Sequence, residues 1–153
     1  GRPLDPSGYV KGWAIDLIRD DLIAAGVTSA AIVAGGDAAV IGVRPDGEPW
    51  RAAIRDPEGD GQVAAVGLID SAIATSGSYE RGDHIWGDDG RGYLSVSVVG
   101  PSLATADALA TALFADGGSD LSWLDGFELY DHLVILPGST MRLTPGMKRR
   151  MAG

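Results

Sequence analysis

Apolar residues recur at helical spacing in two parts of the chain. Across residues 9 to about 25 they fall on every third or fourth position, and Gly26 follows as a helix C-cap. Residues 103–115 repeat this pattern. The spacing predicts two helices, and it predicts that the first one buries its apolar face, which carries Val10, Trp13, Leu17 and Ile18.

Short apolar runs, separated by glycine, proline and polar residues, predict strands in the rest of the chain. The first two runs adjoin Gly35 and Gly36 and predict a hairpin or a bulged ribbon, and the last two predict another hairpin. Hairpin-linked strands combined with two helices predict an α+β domain built mainly on an antiparallel sheet. The predicted strands are 30–34, 39–43, 50–54, 63–68, 71–75, 93–99, 131–136 and 140–143.

Two polar segments are candidates for function. Residues 76–92 form a long predicted loop, and structureless loops of more than about 12–15 residues are uncommon in compact domains and are usually functional or disordered. At the start of the chain, a breaker-rich loop leads into the first helix. The first N–H groups of a helix attract anions, so Ser7, Gly8 and Lys11 together predict a site for a phosphate.

Composition narrows the classes of function. The 153 residues are 45% hydrophobic and predict one domain over the whole chain. The formal net charge of −9 argues against a general nucleic-acid or anionic-membrane binder and favours small molecules or proteins as partners. The absence of cysteine excludes disulfides and thiolate metal sites. No apolar run reaches membrane-spanning length, and the cellular location stays open between cytoplasmic and extracytoplasmic.

Rossmann, P-loop and nucleophile-elbow motifs do not occur in the sequence. Six other segments follow one another along the chain, at residues 5–14, 35–37, 49–57, 74–81, 84–85 and 106–111. In this order they resemble the ApbE family of FAD:protein FMN transferases. The resemblance implies an ApbE-like (T-fold-like) domain, and it implies that this chain corresponds to the C-terminal half to two-thirds of such a protein, without the family's N-terminal region.

The resemblance implies a Mg²⁺-dependent reaction in which FAD is the substrate. FMN is transferred to a threonine or serine hydroxyl of an acceptor protein, and AMP is released. Two alternatives remain open. One is metal-dependent hydrolysis of FAD to FMN and AMP, because water and a protein hydroxyl differ only as the attacking group. The other is a non-catalytic fragment that binds flavin or another polypeptide.

The resemblance also implies a metal site made of Asp107, Thr111 and the backbone carbonyl of Gly8. Asp107 and Thr111 are four residues apart on a predicted helix, so they share one face. A carboxylate, a hydroxyl and a carbonyl are oxygen ligands of the kind that Mg²⁺ takes. The alternative is a solvated Asp107 near a helix start and a packed Thr111.

Contacts with the flavin nucleotide are implied for Asp5 and Lys11, whose alternatives are an Asx-turn and a surface lysine. The glycine pair before Asp37 is expected near the cofactor without a chemical role. Three further contacts are implied in a turn that follows a strand, formed by Thr75, Ser76 and Gly77, with an ordinary turn as the alternative.

His84 and Ile85 match the start of the family's His-Ile-x-Asp-Pro-x-Thr-Gly motif, but the later residues of that motif are absent here. The resemblance implies that His84 and Ile85 contact the flavin nucleotide, and that His84 accepts the proton of the acceptor hydroxyl. The alternative is a loop residue without a catalytic role.

The remaining aromatic and imidazole side chains are expected to be structural. His132 falls in a predicted strand. Trp13, Trp50 and Trp123 are predicted to pack in the core, while Trp86 either packs there or covers a flavin ring.

Overall fold

The computed structural model of the chain describes residues 6–77, 92–118 and 121–152. Both predicted helices and all the predicted strands are present, with shifts of a few residues at their ends. The helices are α1 (Ser7–Ala24), α2 (Leu103–Asp116) and α3 (Pro145–Met151), and a 3-10 helix spans Ser122–Gly126. The strands are β1 (Ala30–Ala34), β2 (Asp37–Ile41), β3 (Trp50–Arg55), β4 (Gln62–Leu68), β5 (Ala72–Gly77), β6 (Ser95–Gly100), β7 (Asp131–Leu136) and β8 (Thr140–Leu143).

Within the described residues the strands form two antiparallel sheets. The larger sheet has the strand order β1-β2-β5-β6-β7-β8, and β3 pairs with β4 in a separate two-stranded sheet. Gly35 and Gly36 form the two-residue turn between β1 and β2, and both have positive φ, at 55° and 86°. Such a turn follows the right-handed twist of paired strands and strongly favours glycine. The predicted α+β class and the antiparallel sheet are confirmed.

Different layers cover the two faces of the six-stranded sheet. On one face, here called the helix face, α1 and α2 pack against residues that include Ala39, Ala74 and Val96. On the other face, called the β face, the β3–β4 sheet and α3 pack against residues that include Ile73 and Ile135. Because side chains alternate along a strand, neighbouring residues of the sheet belong to different cores.

Helix α1 lies in close contact with the backbone of α2. A Cβ atom on Gly12 would lie 2.7 Å from backbone atoms of Leu103 and Ala104, so only glycine fits there. One turn further along α1, the Asp16 carboxylate accepts hydrogen bonds from Ser102 Oγ at 2.7 Å and from the N–H groups of Leu103 and Ala104 at 2.9 and 3.0 Å. A carboxylate at this position satisfies unpaired helix N–H groups and complements the positive end of the helix dipole.

The prediction that α1 buries its apolar face is wrong. The buried positions of α1 are Gly12 and Ile15, whereas Val10, Leu17 and Ile18 are about half exposed. The same holds for Trp13, which is 48% exposed and does not pack in the core as predicted. The reason is that α1 approaches α2 with its glycine side, which turns the larger apolar side chains away from the sheet.

Trp50 and Trp123 are partly buried against the two cores, as predicted. The short helix α3 is an element that the apolar pattern did not indicate. Thr144 caps it by accepting a hydrogen bond from Met147 N–H, and Met147 is fully buried. Among the described residues, no helix combines the length and apolar character needed to cross a membrane.

Replacing Gly12 with alanine should destabilise the fold. Alanine is intrinsically better than glycine in a helix by about 1 kcal/mol. The clash with the α2 backbone should outweigh this gain, because forcing an extra methyl group into a packed contact costs about 1–3 kcal/mol. Urea unfolding of Gly12→Ala measures the effect. Gly61→Ala is the matched control, since a Cβ at Gly61 has nothing within 4 Å. Equal stability of both variants and the wild type would contradict the proposed helix contact.

His132, which lies in β7 as predicted, should make stability depend on pH. Burial lowers the pKa of His132 below its ordinary value of 6.5, and the nearby Asp131 opposes this shift in part. The unfolded chain therefore binds a proton at His132 more readily than the folded chain, so stability should fall as the pH falls below 6.5. Comparing urea unfolding of the wild type and His132→Gln between neutral and mildly acidic pH isolates this contribution. If the free energy of unfolding falls by the same amount in the wild type and in His132→Gln as the pH is lowered, His132 does not contribute to the pH dependence.

Candidate functional site

Charged and hydroxyl side chains meet on the helix face of the sheet, where α1, α2, β2 and β5 come together. α1 contributes Lys11, β2 begins with Asp37, and α2 contributes Asp107 and Thr111. Ser76 of β5 reaches the same place through a contact with Thr111. These five residues are called the polar cluster below.

Asp37 is the most deeply buried acidic residue of the cluster, with 0% of its surface exposed. Its Oδ1 accepts a hydrogen bond from Thr75 N–H at 3.0 Å, and its Oδ2 forms an ion pair with Lys11 Nζ. The Lys11 side chain runs beside the hairpin turn, since a Cβ on Gly35 would lie 3.7 Å from Lys11 Cδ and Nζ. The Lys11 ammonium group therefore lies against the turn that immediately precedes Asp37.

Asp107 is the second buried carboxylate of the cluster, with 1% of its surface exposed. Its Oδ2 lies 3.9 Å from Lys11 Nζ. Lys11 thus places one ammonium group between two buried carboxylates. Burying carboxylates is unfavourable without cationic partners, so this arrangement favours positive charge at the cluster, whether from the lysine or from a bound cation.

Thr111 lies one turn after Asp107 and contacts both α1 and β5. Its Oγ1 is 3.2 Å from Ser76 Oγ, and a Cβ on Gly8 would lie 3.0 Å from the same Oγ1. The first turn of α1 therefore rests against Thr111, which brings Gly8, Thr111 and Asp107 into one region. A buried carboxylate, a hydroxyl and a nearby backbone are a donor set that fits Mg²⁺ in its chemistry.

No group of three or more His, Cys, Asp or Glu side chains that could hold a metal occurs among the residues that the structure describes. A magnesium site at the polar cluster would therefore depend on hydroxyl and backbone oxygens in addition to Asp107. Such a mixed set is common for Mg²⁺, which usually keeps water and substrate phosphate as further ligands.

The predicted turn of Thr75, Ser76 and Gly77 belongs to strand β5 instead. Alternation along the strand separates the two hydroxyl side chains, because Ser76 faces Thr111 whereas Thr75 Oγ1 lies 2.9 Å from Ser97 Oγ. Thr75 lines a cavity of about 270 Å³ on the β face, together with Ile73. Only the Thr75 backbone takes part in the polar cluster, through the hydrogen bond to Asp37.

Several residues of the sequence analysis lie outside the described residues. These are Asp5, His84, Ile85 and Trp86, and their roles stay predictions. Asp37 is the residue that sequence reasoning left without a role. The sequence feature that could have pointed to Asp37 is a carboxylate placed directly after two glycines, at the start of an apolar strand.

The match to a family model and to known proteins agrees with this architecture. The ApbE family model matches residues 1–129. A Rhodobacter capsulatus protein named FAD:protein FMN transferase is 42% identical over 134 aligned positions, covering 76% of this chain and 25% of the relative. A Treponema pallidum protein of the same name is 32% identical over 178 aligned positions, covering 99% of this chain and 48% of the relative.

Solved structures match as well. The ApbE protein of Thermotoga maritima superposes with a TM-score of 0.82 at 29% identity, over 97% of this chain and 53% of that one. The flavin transferase ApbE of Vibrio cholerae gives 0.79 at 28% identity, over 96% and 52%. The fold and the polar cluster thus occur in a chain that resembles flavin transferases along nearly its whole length. The chain belongs to the ApbE family, and it spans about half or less of the length of these relatives.

The Lys11–Asp37 pair should be energetically coupled. Lys11→Met would leave a fully buried carboxylate without its cation and should cost about 2–4 kcal/mol, somewhat less than for a completely buried pair because Lys11 is partly exposed. Adding Asp37→Asn should recover part of that loss, since the unpaired charge is removed. A double-mutant cycle by urea unfolding measures the coupling. Strictly additive losses would show that the two groups do not interact.

Proposed function

We propose that the chain acts in Mg²⁺-dependent transfer of FMN from FAD to a threonine or serine hydroxyl of an acceptor protein, with release of AMP. The observation that carries this proposal is the polar cluster, in which Lys11 lies between Asp37 and Asp107 beside the first turn of α1. The name of these relatives, FAD:protein FMN transferase, supports the transfer of FMN from FAD to a protein.

Asp107 and Thr111, with the Gly8 backbone, are the residues proposed to hold Mg²⁺. When bound there, the ion supplies Lewis-acid stabilisation of negative charge on the pyrophosphate of FAD. The buried position of Asp107 suits this role, because a carboxylate away from water interacts more strongly with a cation than an exposed one does.

Lys11 is proposed to face a phosphate oxygen of FAD. The Lys11 side chain is partly exposed, and its ion pair with Asp37 holds the ammonium group in place. The N-terminal turn of α1 adds the positive end of a helix dipole at the same place, next to Thr111. Both features stabilise the added negative charge that a pyrophosphate develops when it is cleaved.

The chemical step joins the acceptor oxygen to the phosphorus of the FMN part. The bond from this phosphorus to the bridging oxygen breaks, and the electron pair of that bond leaves with AMP. The proton of the acceptor hydroxyl passes to a base, for which the resemblance suggests His84. Attack by water at the same phosphorus would give free FMN and AMP, the hydrolytic alternative.

Incubation of the purified chain with FAD, Mg²⁺ and a threonine-containing acceptor peptide tests the proposal. Flavin fluorescence that stays with the peptide after denaturation, with the matching mass increase, supports transfer. Free FMN without labelled peptide supports hydrolysis instead. If neither product forms and the chain does not bind FAD, both catalytic functions fail for this chain and the non-catalytic alternative stands.

Asp107→Asn should reduce product formation by at least about 100-fold, because a Lewis-acid metal contributes several kcal/mol to transition-state stabilisation. The same variant should lose any increase in melting temperature that Mg²⁺ gives the wild type. Asp20→Asn is the matched control, since Asp20 is an exposed carboxylate on α1 outside the polar cluster. Undiminished Mg²⁺ stabilisation of Asp107→Asn would remove this residue from the proposed metal site.

A further inference from the structure

Lys11 interacts unequally with the two buried carboxylates of the polar cluster. Its Nζ atom forms a direct ion pair with Asp37 Oδ2, whereas it lies 3.9 Å from Asp107 Oδ2. The second distance exceeds the roughly 2.7–2.9 Å of a hydrogen bond between an ammonium group and a carboxylate. Lys11 is therefore bonded to Asp37 and only faces Asp107.

The position of the Asp37 carboxylate is set by the strands around it. Asp37 is the first residue of β2, directly after the turn of Gly35 and Gly36, and its backbone pairs with Ala34 of β1. Its Oδ1 accepts a hydrogen bond from the Thr75 N–H of the neighbouring strand β5 at 3.0 Å. The carboxylate therefore offers the lysine a partner whose place depends on the sheet and not on α1 or α2.

The lysine is the movable member of this group. Lys11 lies near the start of α1 and has a flexible four-carbon side chain that is partly exposed. A shift of its ammonium group by about 1 Å would bring it into hydrogen-bond distance of Asp107 Oδ2. The ion pair with Asp37 opposes this shift, because it holds the ammonium group against the turn between β1 and β2.

A direct Lys11–Asp107 pair would interfere with a metal ion at Asp107. An ammonium group bonded to the same carboxylate would lie close to the ion, and like charges at short distance repel strongly inside a protein. Asp107 is 1% exposed, so salt and water would screen this repulsion only weakly. The location of the Lys11 ammonium group therefore affects how tightly Asp107 can bind a cation.

We propose that Asp37 is a positioning residue of the metal site: it keeps the Lys11 ammonium group from pairing directly with Asp107 and thereby strengthens Mg²⁺ binding there. The inference rests on the proposed function, because it takes Asp107 as a ligand of Mg²⁺. Asp37 acts on the metal through Lys11 and does not bind the metal itself. This role differs from a general effect of its negative charge, which would operate whether or not Lys11 is present.

A double-mutant cycle on Mg²⁺ affinity tests the inference. The dependence of the melting temperature on Mg²⁺ concentration gives the affinity for Mg²⁺ alone, and the melting transition shows that each variant is folded. Asp37→Asn keeps an oxygen for the Thr75 N–H but removes the charge that holds Lys11. The loss of affinity that it causes should be at least about tenfold larger in the wild-type background than in Lys11→Met, where no ammonium group can move to Asp107. A coupling of this size is within the range for residues of one salt-bridge network.

Asp131→Asn is the matched control for this cycle. It also removes a carboxylate from an ion pair, with Arg150, but on the β face of the sheet. It should change the affinity for Mg²⁺ by less than about twofold.

An equal or larger loss in the Lys11→Met background would overturn the inference, because Asp37 would then act through its charge or as a ligand. A crystal structure of the wild type grown with Mg²⁺ is a test that needs no variant, and Lys11 Nζ should stay bonded to Asp37 in it. Transfer of Nζ to Asp107, or direct contact between Asp37 and Mg²⁺, would also overturn the inference.

The same measurements separate a failure of this inference from a failure of the proposed function. If the wild type does not bind Mg²⁺, or if Asp107→Asn binds it equally well, the proposed metal site is wrong and the inference is overturned with it. If Asp107→Asn loses Mg²⁺ binding while Asp37→Asn loses the same amount with and without Lys11, only the inference is overturned. Absence of FMN transfer in a chain that binds Mg²⁺ at Asp107 contradicts the proposed function alone.

Discussion

The close approach of α1 to α2 is the constraint on which the candidate site depends. Gly12 allows backbone contact between the two helices, and Asp16 ties α1 to the first turn of α2. Only with the helices at this spacing does the first turn of α1 rest against Thr111 and Lys11 come within 3.9 Å of the Asp107 carboxylate. A methyl group at Gly12 would therefore act on the site as well as on the fold.

Local patterning made most of the secondary structure predictable. The glycine turn between β1 and β2 and the helical repeat of α2 have short-range signals, and both appear as expected. The orientation of α1 had no such signal, because its apolar stripe suggested a buried face while its contact with α2 uses glycine. Periodicity reports which positions are apolar, but it does not report which side of a helix fits a neighbouring backbone.

The residues of the candidate site also fall into two groups: those that spacing along the sequence could pair, and those that only the tertiary structure brings together. Asp107 and Thr111 could be paired from their spacing on one helix, and the fold does place Thr111 beside Gly8. The ion pair of Asp37 with Lys11 could be recognised only in the tertiary structure, since the two residues are 26 positions apart in the sequence. Thr75 and Ser76 were grouped as one turn, yet the alternation of a strand sends their side chains to opposite faces. Short motifs indicate which residues matter, but only the pairing of the strands decides which side chains meet.

The charged side chains on the two faces of the sheet are paired differently. On the helix face, Asp37 and Asp107 are buried around one lysine, so the local field favours positive charge. On the β face, the Asp131 carboxylate accepts a hydrogen bond from the Thr144 hydroxyl and forms an ion pair with Arg150. The net charge of −9 makes the whole protein repel anions at long range. A phosphate that bound at the polar cluster would therefore depend on short-range contacts, which salt weakens less than it weakens long-range attraction.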